Sequence, residues 1–299
     1  TLHYLNKAGV SATIGDVDID LFSGTVDLRN AKGRGPEGDG FSIDQLTFSV
    51  DYAPLLSKRL SLSTLAVENA ALDIRRGTDN SLRIGGIPIT SAESGDSQPI
   101  EWGLALREVA VRGLRIHYMQ PSNGEQPAID HEVVLNDSSA RDVVTWQADN
   151  DVPLDANLRV GDSRIQLKGR ITPFGESVSG HFELQTEDFA LDLLSPLTQA
   201  RGLQRLTGTV DSEQQIDIDY APSASLTIGI DGSADWQASA LAMANGLALS
   251  GDRLSWRGQI QLDLLRPAGQ PATVESEGRL QVAGLALEQP EAFSLKQAT

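Results

Sequence analysis

The sequence predicts an all-β protein, a long, twisted, mainly antiparallel sheet curved into a groove with one apolar face and very little helix. Three observations lead there. Apolar and polar residues alternate with period two through most of the 299 residues, the mark of strands half-buried on one face. Helical periodicity is nearly absent. Gly and Asn recur inside the alternating segments, where they suit a kink or bulge that would bend a long sheet into a gutter.

The alternation begins with Val17, Ile19 and Leu21 set between Asp16, Asp18 and Asp20. It continues in Leu46, Phe48, Val50 and Tyr52, then Leu104/Leu106, Val109/Val111 and Leu114/Ile116/Tyr118. Further segments are Leu158/Val160, Ile165/Leu167, Phe182/Leu184, Ile216/Ile218/Tyr220 and Leu226/Ile228/Ile230. The series closes with Leu247/Leu249, Ile260/Leu262/Leu264, Leu280/Val282 and Leu285/Leu287. About fourteen such segments, at about 4.8 Å between strands, would extend roughly 60 Å across a sheet.

A unit recurs within this pattern: two alternating apolar residues, then Asn or Gly, then a second apolar pair. Leu65 and Val67 precede Asn69, with Leu72 and Ile74 beyond. Val109 and Val111 precede Gly113, Leu241 and Met243 precede Asn245, and Leu280 and Val282 precede Gly284. Each Asn or Gly is expected to kink a strand between two halves.

The expected organisation is one elongated β unit over 1–299. Within it, 13–120 forms an N-terminal part, 121–157 an irregular connection and 158–299 further β repeats. Helix is expected only at Thr1 to Lys7, within Ala190 to Ala200 and as a turn at Pro54 to Ser57. Lys32 to Gly40, Thr90 to Pro99 and Pro121 to Pro127 read as loops.

Hydrophobic residues make up 40% and aromatics 5%, so the apolar mass is mostly Leu, Val, Ile and Ala, a thin repetitive layer rather than a bulky core. There is no cysteine, which removes disulfides, thiol catalysis and cysteine-based metal sites. Twenty-four basic residues against 41 acidic ones give a net charge of −17, which repels phosphate backbones and argues against nucleic acid as a partner. No apolar run reaches the roughly 18–20 residues of a membrane span. Thr1 stands where a nascent chain carries Met, so an upstream segment is expected.

No enzyme motif emerges, and neither a cofactor nor a metal is expected. His3, His117, His131 and His181 are far apart in sequence, without metal or base spacing. Asp16, Asp18 and Asp20 would line the wet face of a strand rather than converge as calcium ligands do. Asp149, Asp151, Glu93 and Asp96 read as loop charges. Arg107, Arg112 and Arg115 are expected to balance Glu101 and Glu108. Trp102, Trp146, Trp236 and Trp256 suit either a groove rim or strand-face packing.

A one-sided sheet must hide its apolar face against another layer, by closure or against an apolar ligand. With few helices and few aromatics, a lipid-shielding groove is the leading expectation. Its lining would be Leu46, Phe48, Val50, Leu65, Val67, Leu72, Ile74, Val109, Val111, Leu114, Ile116, Leu158, Val160, Ile165, Leu167, Phe182, Leu184, Ile216, Ile218, Ile228, Ile230, Leu247, Leu249, Ile260 and Leu262. A closed structural module of the cell envelope is the alternative, and an acidic β-helix acting on polysaccharide is a third.

Several stretches carry a family resemblance. Asp16 to Asn30, Phe41 to Tyr52, Pro54 to Leu56 and Leu60 to Arg75 resemble the opening of bacterial AsmA-like envelope proteins. Asn80 to Pro88, Gly169 to Phe174 and Asp188 to Pro196 are similar to a branch of that group known mainly as an uncharacterised domain. The resemblance implies a chorein-like N-terminal start, a periplasmic location and anchorage in the inner membrane of a Gram-negative bacterium. It also implies phospholipid or another acyl lipid as cargo bound for the outer membrane, with an envelope protein as a possible partner.

Overall fold

Alternating sequence becomes strand almost everywhere in the computed structural model, which describes residues 9–79, 81–89, 102–122, 128–195, 198, 203–222, 225–265, 272–289 and 293–296. The protein is all-β and mainly antiparallel, and the described strands of neither unit close into a barrel. Helix among the described residues is almost confined to 3-10 turns at Ala53–Ser57 and Leu191–Leu194. The first matches the turn expected at Pro54 to Ser57. Glu93, Asp96, His3, the N-terminal helix and the Thr90 to Pro99 loop fall outside the described residues, as does most of Pro121 to Pro127.

The chain forms two compact units: Thr1–Pro121 with Ile129–Val160 and Arg170–Gly175, and Ser122–Ala128 with Gly161–Gly169 and Glu176–Thr299. In the first lie β1 (Ser11–Thr13), β2 (Asp16–Asp20), β3 (Thr25–Arg34), β4 (Gly40–Asp51), β5 (Arg59–Arg76), β6 (Leu82–Ile84), β7 (Ile87–Ile89), β8 (Gly103–Gln120), β9 (Ile129–Val144) and β10 (Val152–Val160). Pairing runs β2, β3, β4, β5, β8, β9, β10. β1 adds to β3, and the β6–β7 hairpin adds to β5 beyond the start of β4. Among the described pairings of this unit, only β5 with β8 is parallel.

The second unit holds β11 (Ser163–Thr172, up to Gly169), β12 (Val178–Ala190), β13 (Leu203–Ala221), β14 (Ser225–Met243), β15 (Ala248–Leu265), β16 (Thr273–Ala283), β17 (Ala286–Gln289) and β18 (Phe293–Lys296). β12 to β16 pair in chain order, antiparallel throughout. β17 continues on β15 beyond β16, and β18 pairs with β17.

The stretch 121–157 is not the irregular connection its sequence suggested, because it holds β9 and most of β10. Asn136, Asp137, Ser138 and Ser139 interrupt the apolar pattern midway through β9, and small polar residues hide a strand that its neighbours stabilise. The expected loop at Lys32 to Gly40 is also shorter, since β3 runs to Arg34.

The kinks follow a rule. Asn30, Asn69 and Gly113 have φ of 54°, 50° and 66° in β3, β5 and β8. They lie on one transverse line, continued by Asn136, the extra residue of β9 opposite the shift between Asn157 and Leu158 in β10. At this line the spacing of apolar residues changes from two to three: Leu28 to Ala31, Val67 to Ala70, Val111 to Leu114. An L-residue pays for left-handed backbone, so Gly113→Ala is expected to cost about 1–2 kcal/mol in denaturant unfolding. Gly284, φ 65°, likewise separates β16 from β17. Asn245 differs: it sits in the β14–β15 turn, where its side chain accepts from Leu247 N at 3.1 Å and Gly246 takes the positive φ.

Candidate functional site

Residues directly opposed on paired strands share a face of the sheet, and residues two apart along a regular strand do too. In the first unit one row runs Ile19, Val26, Phe48, Leu65, Val109, Ala140, Leu154, and the next runs Val17, Leu28, Leu46, Val67, Val111, Ser138, Ala156. Across the kink line lie Leu114, Leu135, Leu158, and then Phe41, Leu72, Ile116, Val133, Val160. β10 decides whether these rows look the same way. Leu154, Ala156, Leu158 and Val160 follow at spacing two, so all four rows face one side. β4 does the same for Val50, which opposes Leu62 and through it Leu106 and Val143. Every lining residue expected in this unit, Ile74 included, therefore shares one face.

The second unit repeats the design. Phe182, Ile216, Ile230 and Ile260 form one row, and Ile218, Ile228, Leu262 and Val274 the next. Ile165 and Leu167 alternate as half-buried positions along β11, and Gly169, two residues on, sits against the Phe182 ring. Leu184 joins a flatter row with Gln214, Gly232, Gly258 and Gly278, followed by Ala234, Trp256, Leu280 and by Val210, Trp236, Leu254, Val282. Leu249 opposes Leu241 and Leu287. Leu247 is the exception: it stands in the β14–β15 turn and not on a strand. Trp236 and Trp256 belong to the face itself, and the Trp236 indole donates to Thr207 O at 3.0 Å.

Among the described residues, no element within either unit is layered over these rows. The substantial contacts between described elements join hydrogen-bonded neighbours in a sheet or a strand and its adjoining 3-10 turn. Among the described residues the buried apolar ones are only Val10, Ala70, Ala105, Val144, Val152 and Phe182. The lining is half-buried, by its neighbours along the sheet, rather than sealed by a second layer.

The opposite face is polar and internally paired. Arg107 meets Asp142 at 3.1 Å and Arg112 meets Glu68 at 3.5 Å, cross-strand partners in place of the expected Glu108, while Glu101 lies outside the described residues. His117 bonds Asp130 at 2.6 Å and His181 bonds Asp217 at 2.7 Å. Asp151 lies 3.6 Å from Arg170. Asp16, Asp18 and Asp20 line exposed β2, and Asp20 accepts from the amides of Phe22 and Ser23 in the turn that follows. Hydrogen bonding from Ser23 and those amides holds its carboxyl below the usual range. At Asp235, the Ser255 hydroxyl and then the Arg253 guanidinium do the same. Trp146 stacks under Arg59, 4.7 Å from guanidinium carbon to ring centroid, and packs on Gly103.

The lining includes residues the sequence alone did not assign to it, among them Phe41, Ile43, Leu62, Leu106, Val133, Leu135 and Leu254. Val133 and Leu135 were hidden in the stretch read as irregular. Leu62 and Leu106 were out of phase with their neighbours, because a residue inserted in each strand changes the count. No protein-family model matches the chain, and no curated protein matches it significantly.

Proposed function

We propose that this protein binds lipid, shielding phospholipid acyl chains on the apolar faces of its open sheets as they move between the inner and outer membranes of a Gram-negative envelope. The observation that carries the reading is the set of apolar rows on one side of each unit, kept there through the kinks of the first, with no described element of the same unit layered over them. Burial of a methylene is worth about 0.8 kcal/mol, so two ordinary acyl chains gain on the order of 20 kcal/mol by leaving water. Such a wall needs no catalytic group. A periplasmic location, anchorage at the inner membrane through a segment outside these residues and an envelope protein as receiver belong to the same proposal, and rest on the AsmA-like resemblance. Among the described residues no helix is long and apolar enough to cross a membrane.

Protein purified without detergent is expected to carry phospholipid, seen by organic extraction and mass spectrometry at a reproducible ratio to protein. Well-folded protein that yields no lipid, and takes none up from vesicles, would overturn the proposal.

A further inference from the structure

The second unit ends in an open edge. β16 pairs with β15 from Arg253↔Ala283 to Asp263↔Thr273, and no described strand pairs with its other side. It is exposed along nearly its whole length, with Val274 at 67% and Leu280 at 58% on the apolar face. Its 11 residues contain no proline, no bulge and no positive φ. Natural edge strands are protected from pairing by shortness, kinks or charges. β2 in the first unit has this protection, being 5 residues long and carrying Asp16, Asp18 and Asp20. β16 does not.

We infer that β16 is a dimer interface, pairing antiparallel with β16 of a second copy about a two-fold axis at Gly278. The register follows from charge. Centred on Gly278, the pairing sets Glu277 opposite Arg279 of the other copy, twice by symmetry, and Glu275 opposite Gln281. On the other face it sets Val274 opposite Val282 and Ser276 opposite Leu280. Centring on Glu277 or Arg279 instead would oppose two like charges at the axis, which is destabilising. The Gly278 register sets the opposite charges Glu277 and Arg279 against each other on both sides of the axis, the self-complementarity that a two-fold interface requires.

A second observation agrees. Within one copy Arg257 directly opposes Arg279 across β15 and β16. Arg253 close by is held by Asp235 at 2.8 Å, whereas neither Arg257 nor Arg279 has a carboxylate at ion-pairing distance among the described residues. The second copy's Glu277 would supply one beside this cationic pair. The apolar rows of the two copies would then meet at Val274, Leu280 and Val282. The inference is independent of the lipid reading.

The test is the oligomeric state of the whole chain, by sedimentation and native mass spectrometry. Wild type is expected to show a concentration-dependent monomer–dimer equilibrium. Arg279→Glu and Glu277→Arg, each of which sets like charges across the axis, should weaken it about tenfold or more. The double variant Glu277→Arg/Arg279→Glu restores opposite charges in the same register and should recover the dimer. Circular dichroism confirms that each variant is folded. A monomer at every soluble concentration overturns the inference, as does a dimer that ignores the single changes or a double variant that fails to recover.

Discussion

Ile116→Asp is expected to strip the protein of lipid while leaving it folded. Ile116 lies mid-strand in β8, with Leu72 and Val133 directly opposed on either side. In a sealed core, a buried carboxylate there would cost several kcal/mol and unfold a protein of ordinary stability. On an open face water reaches the carboxylate, so the expected loss of stability is about 1–2 kcal/mol. For an acyl chain the change is severe. A charge in an apolar path costs about 2.5–3.5 kcal/mol, a loss of about a hundredfold in affinity. Extracted lipid per protein and the thermal melt of the same sample read the two effects separately. A variant that unfolds would mean that protein covers this face, which is the prediction of a closed structural module.

Arg83→Met should be the most destabilising single change at the end of the first unit where the β3–β4 turn meets the β6–β7 hairpin. Asp39 in that turn has a fully buried side chain, and Arg83 Nε of β6 meets it at 3.0 Å. Arg83 also donates to Gly86 O at 2.8 Å. Gly35 packs so closely on Gly86 that a Cβ on Gly35 would lie 2.7 Å from the Gly86 Cα. Asp73 fixes the turn's other side by accepting from Gly40 N at 2.8 Å. Asp39 Oδ1 has no hydrogen-bond partner among the described residues, so Arg83 is the main compensation for a charge already short of contacts. Its removal is expected to cost about 3–5 kcal/mol in denaturant unfolding. The double variant Asp39→Leu/Arg83→Met should regain most of that, since neither charge then remains. A single variant losing under about 1 kcal/mol would show that water reaches the carboxylate.

This contact was not legible in the sequence. Asp39 and Arg83 lie 44 residues apart, and nothing local marks either as buried. The lining residues are different, because alternation at spacing two is a local consequence of strand geometry. Leu46, Phe48 and Val50, or Ile216 and Ile218, declared their shared face directly. Leu62 and Leu106 did not, because a residue inserted in each strand broke the count.

The sequence by itself determined that the chain is all-β with very little helix, which residues alternate onto an apolar side, and that Asn69, Gly113 and Gly284 would bend the backbone. These follow from period and from the backbone freedom of single residues. Tertiary structure alone decided that β5 pairs in parallel with β8, that the kinks align across strands, and that no described element of either unit is layered over its own apolar face. Pairing partner and register depend on groups tens of residues apart, and a period of two says only that a face is apolar, not what lies against it.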